Sequence, residues 1–184
     1  MYCDIKGILL LDSDGTKIYS KYFNNTQNLS QKANQDLFEK LLKSKISKFA
    51  LKNRENEVVL VESWTVVFKM VNNLTLFILA SSEENEILMA SVLDILLEAL
   101  ELVYRTEIDR NRIVEEMDLA LLTIDEMFEE GSIMAFDANT IAERVLMREV
   151  NEPAPSKSAG KESLFGRALH NAKQAISKSI SARK

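Results

Sequence analysis

The chain contains one cysteine, one histidine, two prolines and five glycines among 184 residues. Each scarcity closes off a class of chemistry. With Cys3 alone there is no internal disulfide, and a reduced compartment is expected. His170 has no second histidine and no nearby cysteine, so no zinc cluster, Cys/His dyad or Ser-His-Asp triad can be assembled around it. It reads as a solvated residue of a C-terminal helix. Five glycines leave no G-x-G-x-x-G or Walker loop to cradle phosphate. Long apolar runs are missing too. The longest, Ile8 to Leu11 and Leu76 to Ala80, fall far short of the roughly 18 residues that a membrane span requires. A soluble protein is expected. Asp4 and Lys6 place charge where a signal peptide would be apolar, which predicts synthesis and residence in the cytosol.

What is present is material for a core. Hydrophobic residues make up 46% of the chain, enough for one domain of ordinary size. Charge divides it unevenly. Residues 1–150 carry 26 acidic and 16 basic side chains, whereas residues 151–184 carry 2 acidic and 7 basic. An acidic body lacks the clustered basic face that nucleic acid demands. Only the basic tail suits an acidic partner or an anionic membrane surface. The expected organisation is a domain over residues 1–150, a linker at 151–163 containing Pro153, Pro155 and Gly160, and a basic amphipathic segment at 164–184. On that segment Phe165, Leu169, Ala172, Ile176 and Ile180 share one helical face.

Within the body, Ile5 to Leu11 and Thr16 to Phe23 read as strands joined by Asp12-Ser-Asp-Gly15. A helix is expected from Leu29 or Ser30 to about Phe49, with Ser30 as its cap and Ala33, Leu37, Leu41, Phe38, Leu42 and Ile46 recurring at helical spacing. Three more strands follow: Glu57 to Val61, Trp64 to Val71 and Leu74 to Ala80, the last two joined by Asn72-Asn73. Ser81-x-x-Glu84 has the form of a capping box. It predicts a helix to Tyr104 that is apolar nearly all round and therefore buried on several sides. A helix from Asp109 to Glu129 ended by Gly131, and a short one from Ala138 to Arg148, complete the order ββ-α-βββ-ααα. This is an α+β fold built on a five-stranded antiparallel sheet.

"ILLLDSDGT" resembles the first motif of the haloacid-dehalogenase phosphatases, where Asp12 would be the nucleophile and Asp14 the acid/base. That chemistry needs a Mg²⁺ held by further carboxylates, a cation and a phosphoryl-binding hydroxyl, on successive parallel strands. Here an antiparallel strand follows at once, and Asp125-Glu126 falls inside a helical pattern. Asp and Gly are also what a tight turn selects, and the turn is the expected reading. A calcium loop lacks its third ligand and its bidentate Glu. No enzyme, no cofactor and no metal are expected.

The order of elements resembles the longin-like fold of coat-adaptor small subunits. More specifically, "KGILLLDSDGTKIYSKYF", "ESWTVVFK", "SSEENEILMASVLDILLEAL" and "LTIDEMFEEGSI" followed by "IAERV" resemble stretches of the coatomer zeta family, the small chains of the COPI coat, in order over about residues 2–150. The resemblance implies a non-catalytic subunit that pairs with the coatomer gamma subunit. It implies a heptameric coat recruited by an Arf-family GTPase to Golgi membranes for retrograde and intra-Golgi transport. A clathrin-adaptor sigma-type chain is the alternative. In sigma chains an apolar pocket takes acidic dileucine signals, and the corresponding region here includes Val71, Leu74, Leu97 and the stretch from Arg105 to Ile113. A structural role without dileucine binding is expected. Val71, Leu74 and Leu97 on the body, with Phe165, Leu169 and Ile176 on the tail, are the candidate partner-binding residues. Docking on protein, attachment to an anionic leaflet and disorder remain open for the tail.

Overall fold

The computed structural model describes residues 3–23, 29–47 and 54–151. The expectations for residues 164–184, Phe165, Leu169, His170 and Ile176 among them, lie outside the described residues.

A hairpin, a three-stranded meander and a crossover between them build the sheet. β1 (Ile5–Asp12) and β2 (Lys17–Tyr22) pair antiparallel, and so do β3 (Asn56–Val61), β4 (Trp64–Val71) and β5 (Leu74–Ser81) in succession. Between the hairpin and the meander α1 (Lys32–Ile46) carries the chain from one sheet edge to the other, and β1 then pairs antiparallel with β5. The order is β2-β1-β5-β4-β3, with β2 and β3 at the edges. Asn72 sits at φ +53° in the β4–β5 turn, a conformation its short polar side chain tolerates. β5 is buried from Leu74 to Ala80, as a central strand covered on both faces must be.

The alternation of side chains divides the core in two. On one face Leu74, Leu76, Ile78 and Ala80 of β5 meet Ile5, Ile8 and Leu10 of β1 beneath the long α2 (Glu86–Tyr104), which runs between the sheet and the later helices. On the other face Phe77 and Leu79 join Leu9, Leu11, Val66 and Phe68, with Phe38 and Leu42 of α1 above them. α3 (Arg110–Glu115), α4 (Met117–Met127) and α5 (Ala138–Asn151) follow α2, and Ile124, Ile141 and Val145 bury themselves in the first cluster.

Several expectations need correction. α1 is capped at Gln31, not Ser30, and makes no side-chain cap bond. Leu37 and Leu41 point outward, 59% and 44% exposed, while Glu39 is inside at 6%. Glu39 is inside because it is saturated: its Oε1 accepts from Lys17 Nζ at 2.9 Å and from the Tyr22 hydroxyl at 3.2 Å. Burial, and then that carboxylate, push the Tyr22 phenol well above its usual range. Ser81 belongs to β5, and the cap of α2 is Asn85, whose Oδ1 accepts from Ile87 N and Leu88 N at 2.9 and 3.2 Å. The expected helix from Asp109 to Glu129 is broken at Glu116 (φ −125°, ψ 49°) and stops at Met127. The break shifts the buried stripe of α4 onto Ala120, Thr123, Ile124 and Met127. Thr123 is tolerated there because its hydroxyl donates to the Leu119 carbonyl at 2.7 Å. Gly131 does not end a helix; it sits in the turn of a small hairpin, β6 (Phe128–Glu129) with β7 (Ser132–Ile133).

Candidate partner interface

Asp12 lies in a structural corner. Gly15 N donates to the Asp12 carbonyl at 2.8 Å and Asp12 N to the Thr16 carbonyl at 2.8 Å, closing the β1–β2 turn with Gly15 at φ +72°. Two other connections are stitched to it. Ser13 N donates to the Asn73 carbonyl at 3.0 Å, Arg110 N donates to Asn73 Oδ1 at 3.0 Å, and Arg110 Nε lies 2.6 Å from Asp12 Oδ2. The two charges attract there although the Nε–H is not aimed along that line. Asp12 is thus engaged in fastening the β1–β2 turn, the β4–β5 turn and the start of α3. Among the described residues no group of three His, Cys, Asp or Glu is placed to hold a metal ion, and no helix is long and apolar enough to cross a membrane.

Cys3 is buried, and burial together with the Glu84 carboxylate pushes its thiol up to about 12. At pH 8 the thiolate fraction is then on the order of 10⁻⁴. Ellman's reagent added to the native chain should therefore react only as fast as the N-terminal end of β1 opens, and denaturant should speed the reaction by orders of magnitude. Fast stoichiometric labelling of the native chain would contradict this burial.

Val71, Leu74 and Leu97 are all in the core, at 0%, 0% and 6% exposure. Ile108 and Ile113 are buried with them, while Arg105 and Glu107 face solvent. Val71, Leu74, Leu97, Ile108 and Ile113 are thus spent on this chain's own packing. Asn72 ties the β4–β5 turn to this region, its Nδ2 donating to the Ile108 carbonyl at 3.0 Å.

The open apolar surface lies elsewhere. It includes the flank of β3, where Val58 and Leu60 are 43% and 54% exposed, and Ile87 at the start of α2 reaches 79%. Beside it lies a mixed groove of about 260 Å³ where Leu37, Phe38 and Leu41 of α1, with Asn34, face Trp64 and the Glu62-Ser63 turn. Helical spacing groups Leu37 and Leu41 with the apolar face of α1, yet both are exposed, and exposure of Val58 and Leu60 follows from β3 being an edge strand. The four aliphatics in a row from Val58 to Val61 do not say which face is covered. A third surface, a polar cleft of about 680 Å³, is lined by Asp125, Glu126, Glu129 and Glu130 with Lys21 and Arg144. Lys21 and Arg144 are ion-paired to Asp125 and Glu126 across it.

Comparison with known proteins places this architecture. A model of the clathrin adaptor complex small chain family matches residues 4–152. Coatomer subunit zeta-3 of Arabidopsis thaliana is 33% identical over 176 residues, spanning 96% of this chain and 93% of that protein. Coatomer subunit zeta of Saccharomyces cerevisiae is 33% identical over 153 residues, 81% of this chain and 80% of that one. Among structures, a chain of a homology model of the full-length AP-3 complex in a stretched open conformation shares the fold. Its TM-score is 0.58 at 15% identity, over 79% of this chain and 94% of that one. With a five-stranded antiparallel sheet between α1 and the α2 layer, and with relatives matching along nearly its whole length, the chain belongs to the clathrin adaptor complex small chain family, alongside the coatomer zeta subunits.

Proposed function

We propose that this chain is a small structural subunit of the COPI coat that pairs with the coatomer gamma subunit. Its place is cytoplasmic and peripheral on Golgi membranes and COPI vesicles. It reaches them with the heptamer through an Arf-family GTPase and serves Golgi-to-ER and intra-Golgi transport. The observation that carries the reading is end-to-end identity with coatomer zeta subunits, 33% across 96% of this chain. The chemistry of the body agrees: Asp12 is engaged in its turn, Asp125 and Glu126 in ion pairs, and Leu37, Val58, Leu60 and Ile87 leave apolar side chains open to protein contact.

In this reading Val71, Leu74 and Leu97 serve the partner from below, by holding the surface in shape, and Phe165, Leu169 and Ile176 contribute a contact from the C-terminal segment. Tagging the chain, purifying it gently from its own cytosol and identifying stoichiometric partners by mass spectrometry tests the proposal. Coatomer subunits, the gamma chain above all, are expected. Clathrin-adaptor large chains would move the role to a sigma-type chain, and a clean monomer would remove the coat reading. An acidic dileucine peptide should fail to bind, because Ile108 and Ile113 are spent on this chain's own packing; micromolar affinity in a titration would overturn the purely structural role.

A further inference from the structure

The flank of β3 combines three properties. The first is an unpaired backbone edge. β3 pairs with β4 without a register shift from Asn56 to Val61, and among the described residues no strand lies on its other side. The Leu60 carbonyl accepts Lys45 Nζ at 2.5 Å, so the Leu60 backbone points away from the sheet. By the two-residue period, the outward N–H and C=O groups are those of Asn56, Val58 and Leu60.

The second property is an apolar row on the α2 side of that edge. Asn56 Nδ2 donates to Asp94 at 3.0 Å and Arg54 pairs with Glu101 at 2.6 Å, so β3 and α2 run in opposite directions. Four residues of strand, Asn56 to Leu60, cover about 14 Å. Stepping the same distance back from Asp94 at about 1.5 Å per residue reaches the first turn of α2. Ile87 lies seven residues before Asp94 and so on the same helix flank, about 10 Å back along α2. Val58 and Leu60 form an exposed apolar row on the strand, and Ile87 is exposed on the flank of α2 that also carries Asp94.

The third property is charge. Residues 81–104 carry six acidic side chains and no lysine or arginine. Asp94 and Glu101 hold α2 to the sheet through Lys69 and Arg54. Glu86, next to Ile87, and Glu62, in the β3–β4 turn, are exposed at the end of the row. A second copy added edge to edge would bring the same acidic groups along with its own strand. A basic segment would complement them.

We propose that β3 is the docking edge for an extended segment of a partner chain that adds antiparallel to it. That segment carries aliphatic side chains on the face toward Ile87 and lysine or arginine at its ends. Lys45 guards the edge until displaced, as lysines commonly do on exposed strands. The proposal rests on the coat reading only in taking the occupant to be another chain.

The test uses the full chain and a short synthetic peptide of alternating valine and threonine with paired lysines at each end. Hydrogen exchange should slow at the amides of Asn56, Val58 and Leu60. A peptide with glutamates in place of the lysines should bind at least about 10-fold more weakly. Val58→Pro removes an outward N–H that β4 does not use, a change edge strands accept, and should abolish binding while thermal unfolding stays close to that of the parent. Ile87→Asp, outside the strand, should weaken binding without touching the backbone edge. Protection elsewhere, equal binding by V58P, or indifference to the terminal charges would overturn the proposal. So would β3 protection that rises with protein concentration without peptide, since the occupant would then be a second copy. Loss of the peptide result while coatomer subunits still co-purify would sink the docking edge alone; their absence would sink the coat role whatever the peptide does.

Discussion

Gly131→Ala is expected to lower the thermal midpoint by about 10 °C. A Cβ at this position would stand 2.2 Å from the Ile5 carbonyl oxygen and 2.9 Å from Asp4 Oδ1, and the backbone is held at φ +90°. Left-handed backbone alone costs an L residue about 1–2 kcal/mol. The contact with Ile5 cannot be relieved by a side-chain rotation, because the obstacle is main chain. The β6–β7 turn must withdraw from β1, and with it goes the bond from Ile5 N to the Gly131 carbonyl at 2.9 Å and the bridge between Asp4 and Ser132. These contacts join the end of α4 to the beginning of the sheet. A total on the order of 3 kcal/mol is reasonable for a strained glycine site with a backbone clash, at about 2–4 °C per kcal/mol for a chain of this size.

Gly15→Ala supplies the control. Gly15 also has a positive φ, +72°, but its nearest neighbour would be the flexible Lys43 side chain at 3.8 Å. It should therefore lose only the conformational part, about 1–2 kcal/mol. Thermal unfolding of the two variants separates strain from collision. Equal midpoints would mean that the β6–β7 turn gives way freely and that Gly131 is there for φ alone.

Where the sequence carried a repeated signal, the fold could be read from it. Strands β4 and β5 begin where their apolar runs predict, the Asn72-Asn73 turn lies where the two runs break, and Asp12 to Gly15 turns the chain as its residue types suggest. Short or ambiguous signals failed. β6 and β7 are two residues each, too short for any period, and a glycine after a helical run looks like a helix terminator until the contact with Ile5 is known. The break at Glu116 has no proline or glycine to mark it. It is held by tertiary contact, the Tyr104 hydroxyl donating to the Glu116 carbonyl at 2.6 Å. At the candidate interface the limit is different in kind. Val58, Leu60, Leu37 and Leu41 are the residues a core would use, and only the strand order and the finite width of α1 and α2 leave them uncovered. Apolar residues at a core and at an interface are chemically the same.

Phe77→Ala should cost about 3–5 kcal/mol, as expected for removal of a buried aromatic ring. Phe77 is 1% exposed at the middle of β5, with its ring stacked on Phe68 at 5.4 Å between centroids and 26° between planes. β5 is bracketed by β1 and β4, so its backbone cannot move in to fill the space. The cover on this face is α1, through Phe38 and Leu42, whereas the opposite face has α2 backed by α4 and α5. The loss should therefore be uneven. Amide exchange should accelerate in α1 well before it does in α2, since the intact sheet separates the two clusters. Loosening α1 also loosens Leu37 and Leu41 and the groove they form with Trp64, so Phe77→Ala should weaken any partner contact made there while leaving the Ile87 flank of α2 in place. In a double-mutant cycle with Phe68→Ala, the stacked pair should show a coupling of about 0.5–1.5 kcal/mol. Uniform acceleration across α1 and α2 would show that the two halves of the core unfold as one cooperative unit, and that the sheet does not insulate one from the other.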